Sequence, residues 1–491
     1  MKARLAVFAF LLLAAIAPAS AAIAVKSIDL GKNVDVWFAE DHTVPIVSLA
    51  VSLPAGSAYD PAGKDGLASF AASLIDEGAA GLNSRAFHGA LADRAIHFQA
   101  RVERDYMVVT ITTLKENLPE ALRLLTLALT RPRFDADAVA RVRAQIIQSL
   151  QQDETEPPNV ARRAFMGAFF NGHPYGHEDD GSISSIDAIT PDDLRAFARG
   201  HWVKGGLKIA IAGDLDQATA AKLLGTAFLP LSGAVPAPPP AVWRLGQPGI
   251  HVLAMPVPQP SVMFGLPGIM RADPDFMPGY VANYILGGGG FSSRLTDEVR
   301  VKRGLTYGIT TALTAYSRAS VMVGSVATRA DAVRQTIDVV KATMQNFASN
   351  GPTQQELDDA KTFLTGSFPI AFASDAGIAN QLSAFQRQGL DVTYVSRRNA
   401  LINAVTLDQV KRVARKLYDP ARLTVVVAGT PQDGRAPQAP KAPVRPAPPS
   451  AVAPPGAPGA AAPPGAKPPT PAKAASTPPK AVAKPDVPAK P

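Results

Sequence analysis

The chain has 491 residues, 47% of them hydrophobic, enough for roughly two to four cored domains. It has no cysteine, which excludes disulfides, thiolate catalysis and Cys-ligated zinc. The formal charge of +8 comes from the ends: Lys2 and Arg4 supply two units and the segment from Ala436 onward supplies six, so the body between is neutral and offers no basis for nucleic-acid binding.

Residues 1–21 join Lys2 and Arg4 to an apolar run at 5–17 and the small residues Ala19, Ser20 and Ala21, the pattern of a secretory signal. Cleavage after Ala21 and a periplasmic location are expected. The apolar run falls short of the roughly 20 residues a span needs, and no later segment qualifies, so no transmembrane segment is expected in the mature chain. Strands are predicted at 34–38 and 46–53, the second with clear alternation, then helices at 66–77 and 84–94. A hairpin follows at 96–102 and 106–112. Helical patterns cover 118–129, 137–152 and 160–170. After a loop at 171–182, a helix begins at Thr190 with Asp192 and Asp193 in its first turn. A strand at 207–213 and a helix at 215–228 complete a first half.

The pattern then starts again. Ile189-Thr190-Pro191-Asp192, leading to Ile211-Ala212-Gly213, is mirrored by Val405-Thr406-Leu407-Asp408, leading to Val427-Ala428-Gly429, at a constant offset of 216 residues. So long a period indicates two duplicated units rather than a solenoid. The expected divisions are an N-terminal domain at 22–230, a stiff proline-rich linker at 231–248, a C-terminal domain at 249–435, and a Pro/Ala/Lys-rich tail at 436–491 with too little apolar surface to fold. Hairpins mixed with long helices point to the α+β class, each half a mostly antiparallel sheet with helices packed on it.

The stretch 287–307, GGGGFSSRLTDEVRVKRGLTY, is where candidate chemistry concentrates. Gly287, Gly288, Gly289 and Gly290 read as a pliable loop after an apolar helix ending near Leu286, suited to gating a substrate. A short helix with Leu295, Val299 and Val301 as its inward positions ends at Gly304, and a strand is expected at 305–313. Arg300 in the last helical turn and Tyr307 at the start of that strand would present a guanidinium and a phenol together. Such donors suit a peptide carbonyl, or the oxyanion it becomes. His173-Pro174-Tyr175-Gly176-His177-Glu178 is the one local His/carboxylate cluster, but Pro174 and Gly176 deny it helical i, i+4 ligand geometry.

The run Ser293-Arg294-Leu295, then Arg300, Gly304-Leu305 and Tyr307, resembles the Arg/Tyr motif of the M16 (pitrilysin and mitochondrial processing peptidase) metallopeptidases, with Arg300 and Tyr307 on its two functional positions. The likeness covers most of the chain between the signal and the tail. Active members carry H-x-x-E-H on a helix that follows a Gly-Ser/Thr-x-x-acid-Pro turn. The turn is present as Gly56-Ser57-Ala58-Tyr59-Asp60-Pro61, but Ser69 and Ser73 stand where the imidazoles would be and Ala72 where the catalytic carboxylate would be. The distal acid is also missing, with Gln145 or Gln148 in its region.

The resemblance implies a LuxS/MPP-like metallohydrolase-type fold of two homologous halves, with no cofactor or metal in this chain and zinc in a partner subunit that carries H-x-x-E-H. The implied function is that of the zinc-less subunit of a heteromeric M16B peptidase, inactive alone. There Arg300 would grip a backbone carbonyl of an extended peptide and Tyr307 would stabilise the oxyanion, both projecting into a chamber shared with the partner. The alternatives are an inert structural or peptide-binding protein on the same shell, and a stand-alone zinc peptidase with ligands from elsewhere.

Overall fold

The computed structural model describes residues 24–242 and 245–432; the expected signal at 1–21 and tail at 436–491 lie outside the described residues. Two sheets organise the chain. The first is built from β1 (Val25–Ile28), β2 (Val34–Glu40), β3 (Ile46–Leu53), β6 (His97–Val102), β7 (Met107–Leu114) and β8 (Leu207–Gly213), in the order β1-β2-β8-β3-β7-β6. A two-residue pairing of β4 (Gly78–Ala79) with β5 (Leu82–Asn83) stands apart. The second sheet contains β9 (Gly249–Leu253), β10 (Ser261–Pro267), β11 (Ile309–Ala315), β12 (Ser320–Ala327) and β13 (Thr424–Ala428), in the order β11-β12-β10-β13-β9.

Among the described residues, only β2 with β8 and β9 with β13 run parallel; every other strand pairing is antiparallel. Set β1 aside, and the order β2-β8-β3-β7-β6 is matched strand for strand by β9-β13-β10-β12-β11. The duplication read from the sequence is therefore a duplication of topology. The α+β class expected from the sequence is what forms.

Central strands such as β3 are buried along nearly their whole length, which requires cover on both faces. One face of the first sheet packs Phe38, Leu49 and Val51 against helices of its own half, with Phe70, Leu122 and Phe228. Its other face offers Trp37, Ala39, Ala50, Ala210 and Ala212, and here the cover comes from the second half: Ile378, Ala379, Leu382 and Phe385 on the helix Asp375–Arg387. The arrangement is reciprocal. The helix Pro157–Phe169 of the first half lays Phe165, Met166 and Phe169 on Val321 and Val426 of the second sheet. Small residues on the sheets allow the close approach, and a Cβ added to Gly265 would sit 2.5 Å from the Phe165 ring.

Polar groups fasten the same junction. Gln386 donates to the carbonyls of Asp35 (2.9 Å) and Ile209 (3.2 Å), and the Ser52 and Ser383 hydroxyls lie 2.9 Å apart. At the other crossing, the Tyr175 hydroxyl donates to Asp105 at 2.6 Å and accepts from the Arg318 amide, while Asp105 accepts from the Ser317 amide. The proline-rich connection is extended and lies along the first half, where the Gly246 amide donates to the Phe169 carbonyl at 2.7 Å.

Candidate functional site

The four-glycine stretch is not the pliable loop its composition suggests. The α-helix Phe276–Asn283 runs on as a wider π turn over Tyr284–Gly288, so Gly287 and Gly288 are helical. The physical reason is crowding. A Cβ on Gly287 would lie 2.5 Å from the Thr311 Oγ1 of β11, one on Gly288 3.0 Å from Asn283 Nδ2, and one on Gly289 3.1 Å from the Tyr284 ring. Three of the glycines are thus places where neighbouring structure comes too close for a side chain. Only Gly290, with φ +59° and open space around it, acts through backbone freedom. It starts the short turn Gly290–Ser292, which the Ser292 and Ser293 hydroxyls close by donating to the carbonyls of Gly289 and Gly290.

The next helix, whose π-turn portion is Thr296–Val301, buries Leu295 and Val299 as predicted but leaves Val301 exposed, because the wider π turn rotates it off the inward face, and it stops at Gly304 with φ +61°. The Gly304 amide donates to the Arg300 carbonyl and the Leu305 amide to the Val299 carbonyl, closing the end. Most of the charges on this helix are occupied. Arg294 makes a two-pronged pair with Glu356 at 2.6 and 2.7 Å and lies over the Phe347 ring, pinning the start of the helix to the second core. Glu298 is shared between Lys302 and Arg303.

Arg300 differs from its neighbours. Among the described residues its guanidinium has no ion pair or hydrogen bond; it lies over the ring of Phe291, 4.4 Å from the centroid. Tyr307 sits in a bend two residues before β11, 87% exposed, with no side-chain partner among the described residues. Phe291 and Val301 beside them are 75% and 65% exposed. Neither Arg300 nor Tyr307 lines the cleft of about 540 Å³ where the two halves meet, whose wall includes Arg104, Tyr106, Arg162, Tyr316 and Arg387. Tyr307 is exposed, whereas Arg300 is half-buried.

In the first half, the helix Leu67–Ala72 begins where Asp60, buried, accepts from the amides of Gly66 and Ala68, both at 2.8 Å. Burial pushes the Asp60 carboxyl up to about 8, against the opposing pull of those two amides. The helix that this turn positions carries no metal ligand. The Ser69 hydroxyl donates to the Asp179 carbonyl at 2.8 Å, the Ser73 hydroxyl donates to the Ser69 carbonyl at 2.9 Å, and Ala72 is buried. Gln145 and Gln148 are exposed on the helix Ala136–Asp153. Zinc needs imidazole, thiolate or carboxylate donors, so these residues do not fit it.

His173 is also accounted for structurally. Its Nδ1 accepts from the Tyr175 amide at 3.1 Å, which leaves the proton on Nε2 to bond the Pro240 carbonyl at 2.9 Å. Burial pushes its pKa down, in keeping with a neutral ring that ties the linker to the first half. A cluster that the sequence spacing did not reveal is Asp76, Glu77 and His88, whose ligand atoms lie within 4.8 Å of one another. Glu77 is already held there by Arg141 and by the Ser84 hydroxyl, as a charge-compensated structural acid.

The geometry agrees with comparisons to known proteins. The family model described as insulinase (peptidase family M16) matches residues 35–178, and that described as peptidase M16 inactive domain matches residues 188–364. A crystal structure of a peptidase M16 inactive domain from Pseudomonas fluorescens superposes with a TM-score of 0.79 at 30% identity, covering 83% of this chain and 98% of that one. The non-peptidase homolog YmxG of Helicobacter pylori is 27% identical over 387 residues, covering 78% of this chain and 87% of its own. An uncharacterized zinc protease of Streptomyces coelicolor is 26% identical over 341 residues, 68% of this chain and 74% of that protein. The chain belongs to peptidase family M16.

Proposed function

We propose that this chain is the zinc-less subunit of a heteromeric M16 peptidase, working in the periplasm with an H-x-x-E-H partner that holds the metal and activates water. Its own contribution is to position substrate and stabilise charge. Arg300 grips a backbone carbonyl of an extended peptide, and Tyr307 donates to the oxyanion that forms at the scissile carbon. The observation that carries this reading is the contrast between the two halves. The hydroxyls of Ser69 and Ser73 are spent on backbone carbonyls, whereas among the described residues the half-buried Arg300 guanidinium, against the exposed Phe291 ring, and the exposed Tyr307 hydroxyl have no hydrogen-bond partner. Donors left without hydrogen-bond partners, next to an exposed apolar ring, suit a surface that a second chain and a peptide would cover.

The test is to purify the mature chain, measure bound zinc, and assay peptide cleavage alone and after adding the H-x-x-E-H chain of the same organism. Zinc should be absent, the chain alone inactive and the mixture active. In the mixture, Tyr307→Phe should lower kcat by about 10²–10³, the cost of one lost oxyanion donor. Arg300→Ala should raise KM. Stoichiometric zinc together with activity of the chain alone would overturn the assignment.

A further inference from the structure

We infer that Phe291 is a positioning residue for Arg300, a ring platform that holds the guanidinium in place for the incoming peptide. The inference deepens the proposed function and rests on it. Every other strong contact around this helix belongs to a different residue: Arg294 is taken by Glu356 and Gly351, and Glu298 by Lys302 and Arg303. A flexible side chain with a free end samples many rotamers and loses that freedom on binding. Arg300 escapes this through one contact, the Phe291 face at 4.4 Å. An aromatic face attracts a guanidinium electrostatically while leaving all five of its N–H donors unspent, which a carboxylate partner would not.

The backbone around Phe291 is built to present the ring. Gly290 takes the left-handed φ of +59°, the Gly289 and Gly290 carbonyls accept from the Ser292 and Ser293 hydroxyls, and Ser293 reaches the Thr296 hydroxyl at 3.0 Å. The turn is therefore tied to the helix that carries Arg300, so ring and guanidinium keep their relative places. At 75% exposure Phe291 contributes little to the core, and its removal does not threaten the fold.

The experiment compares Phe291→Leu, Phe291→Trp, Arg300→Ala and Phe291→Leu/Arg300→Ala, each mixed with the H-x-x-E-H chain of the same organism and assayed on a peptide substrate. Phe291→Leu keeps an apolar side chain without a π face. It should raise KM about two- to five-fold with kcat little changed, the range expected for an exposed cation–π contact. Phe291→Trp should restore the wild-type KM, and Phe291→Leu should add nothing once Arg300 is Ala. A Phe291→Leu enzyme with wild-type KM, or one whose defect persists in full beside Arg300→Ala, would overturn the positioning role while leaving Arg300 in its proposed function. An Arg300→Ala mixture as active as wild type would remove that function, and this inference with it.

Discussion

Asp60, at the foot of the Leu67–Ala72 helix, bonds the amides of Gly66 and Ala68 from a site that water hardly reaches. Its pKa is raised, to about 8, by burial first, so the folded state holds a proton that the unfolded chain releases near pH 4. The sign follows from linkage: stability from this group is complete below about pH 4, declines as pH rises, and levels off above about pH 8. Denaturant unfolding between pH 5 and 8 should therefore show stability falling with pH. Asp60→Asn, which cannot ionise, should flatten that slope by up to about 1.4 kcal/mol per pH unit. At this scale much was legible in the sequence. The candidate positions Arg300, Tyr307, Ser69, Ala72 and Ser73 all come from short-range motif spacing and the family resemblance it carries. What spacing cannot carry is which groups meet across turns: the Phe291 face under Arg300, or the Glu77–Arg141 pair spanning 64 residues.

The segment from Tyr284 to Val301 shows where local reading fails at the scale of the element. Glycine runs normally break helices, and a loop is the sound expectation from composition. Here Gly287 has to be Gly because Thr311, 24 residues later on β11, occupies the space its side chain would need. That is tertiary information. Gly287→Ala should destabilise the second half by about 1–3 kcal/mol, as overpacking does, in a denaturant titration. Gly290→Ala meets open space and is strained only through its φ of +59°, so its cost should be smaller, about 1 kcal/mol. If Gly287→Ala were neutral, crowding would not be the reason for the run. Two π turns, one holding Gly287 and Gly288 and the other at Thr296–Val301, widen their helices beyond what 3.6-residue periodicity can predict.

At the scale of the whole molecule, the strand order of both sheets follows the duplication seen in the sequence, but the exchange of helices between them does not. No periodicity reports that Phe165 of the first half and Leu382 of the second pack on the opposite sheets, because each looks like an ordinary amphipathic position. The two sheets should consequently unfold in one transition. Phe165→Ala should cost about 3–5 kcal/mol and lower hydrogen-exchange protection in β8 of the first sheet as well as β13 of the second. Loss confined to β13 would mean that the halves fold independently. The first lobe, whose Leu67–Ala72 helix carries no metal donor, is also the cover of the second sheet. Deleting it would strip the roof from the second lobe and lay Val321 and Val426 bare to water, so the second lobe depends on its sibling for shelter whatever chemistry that sibling performs.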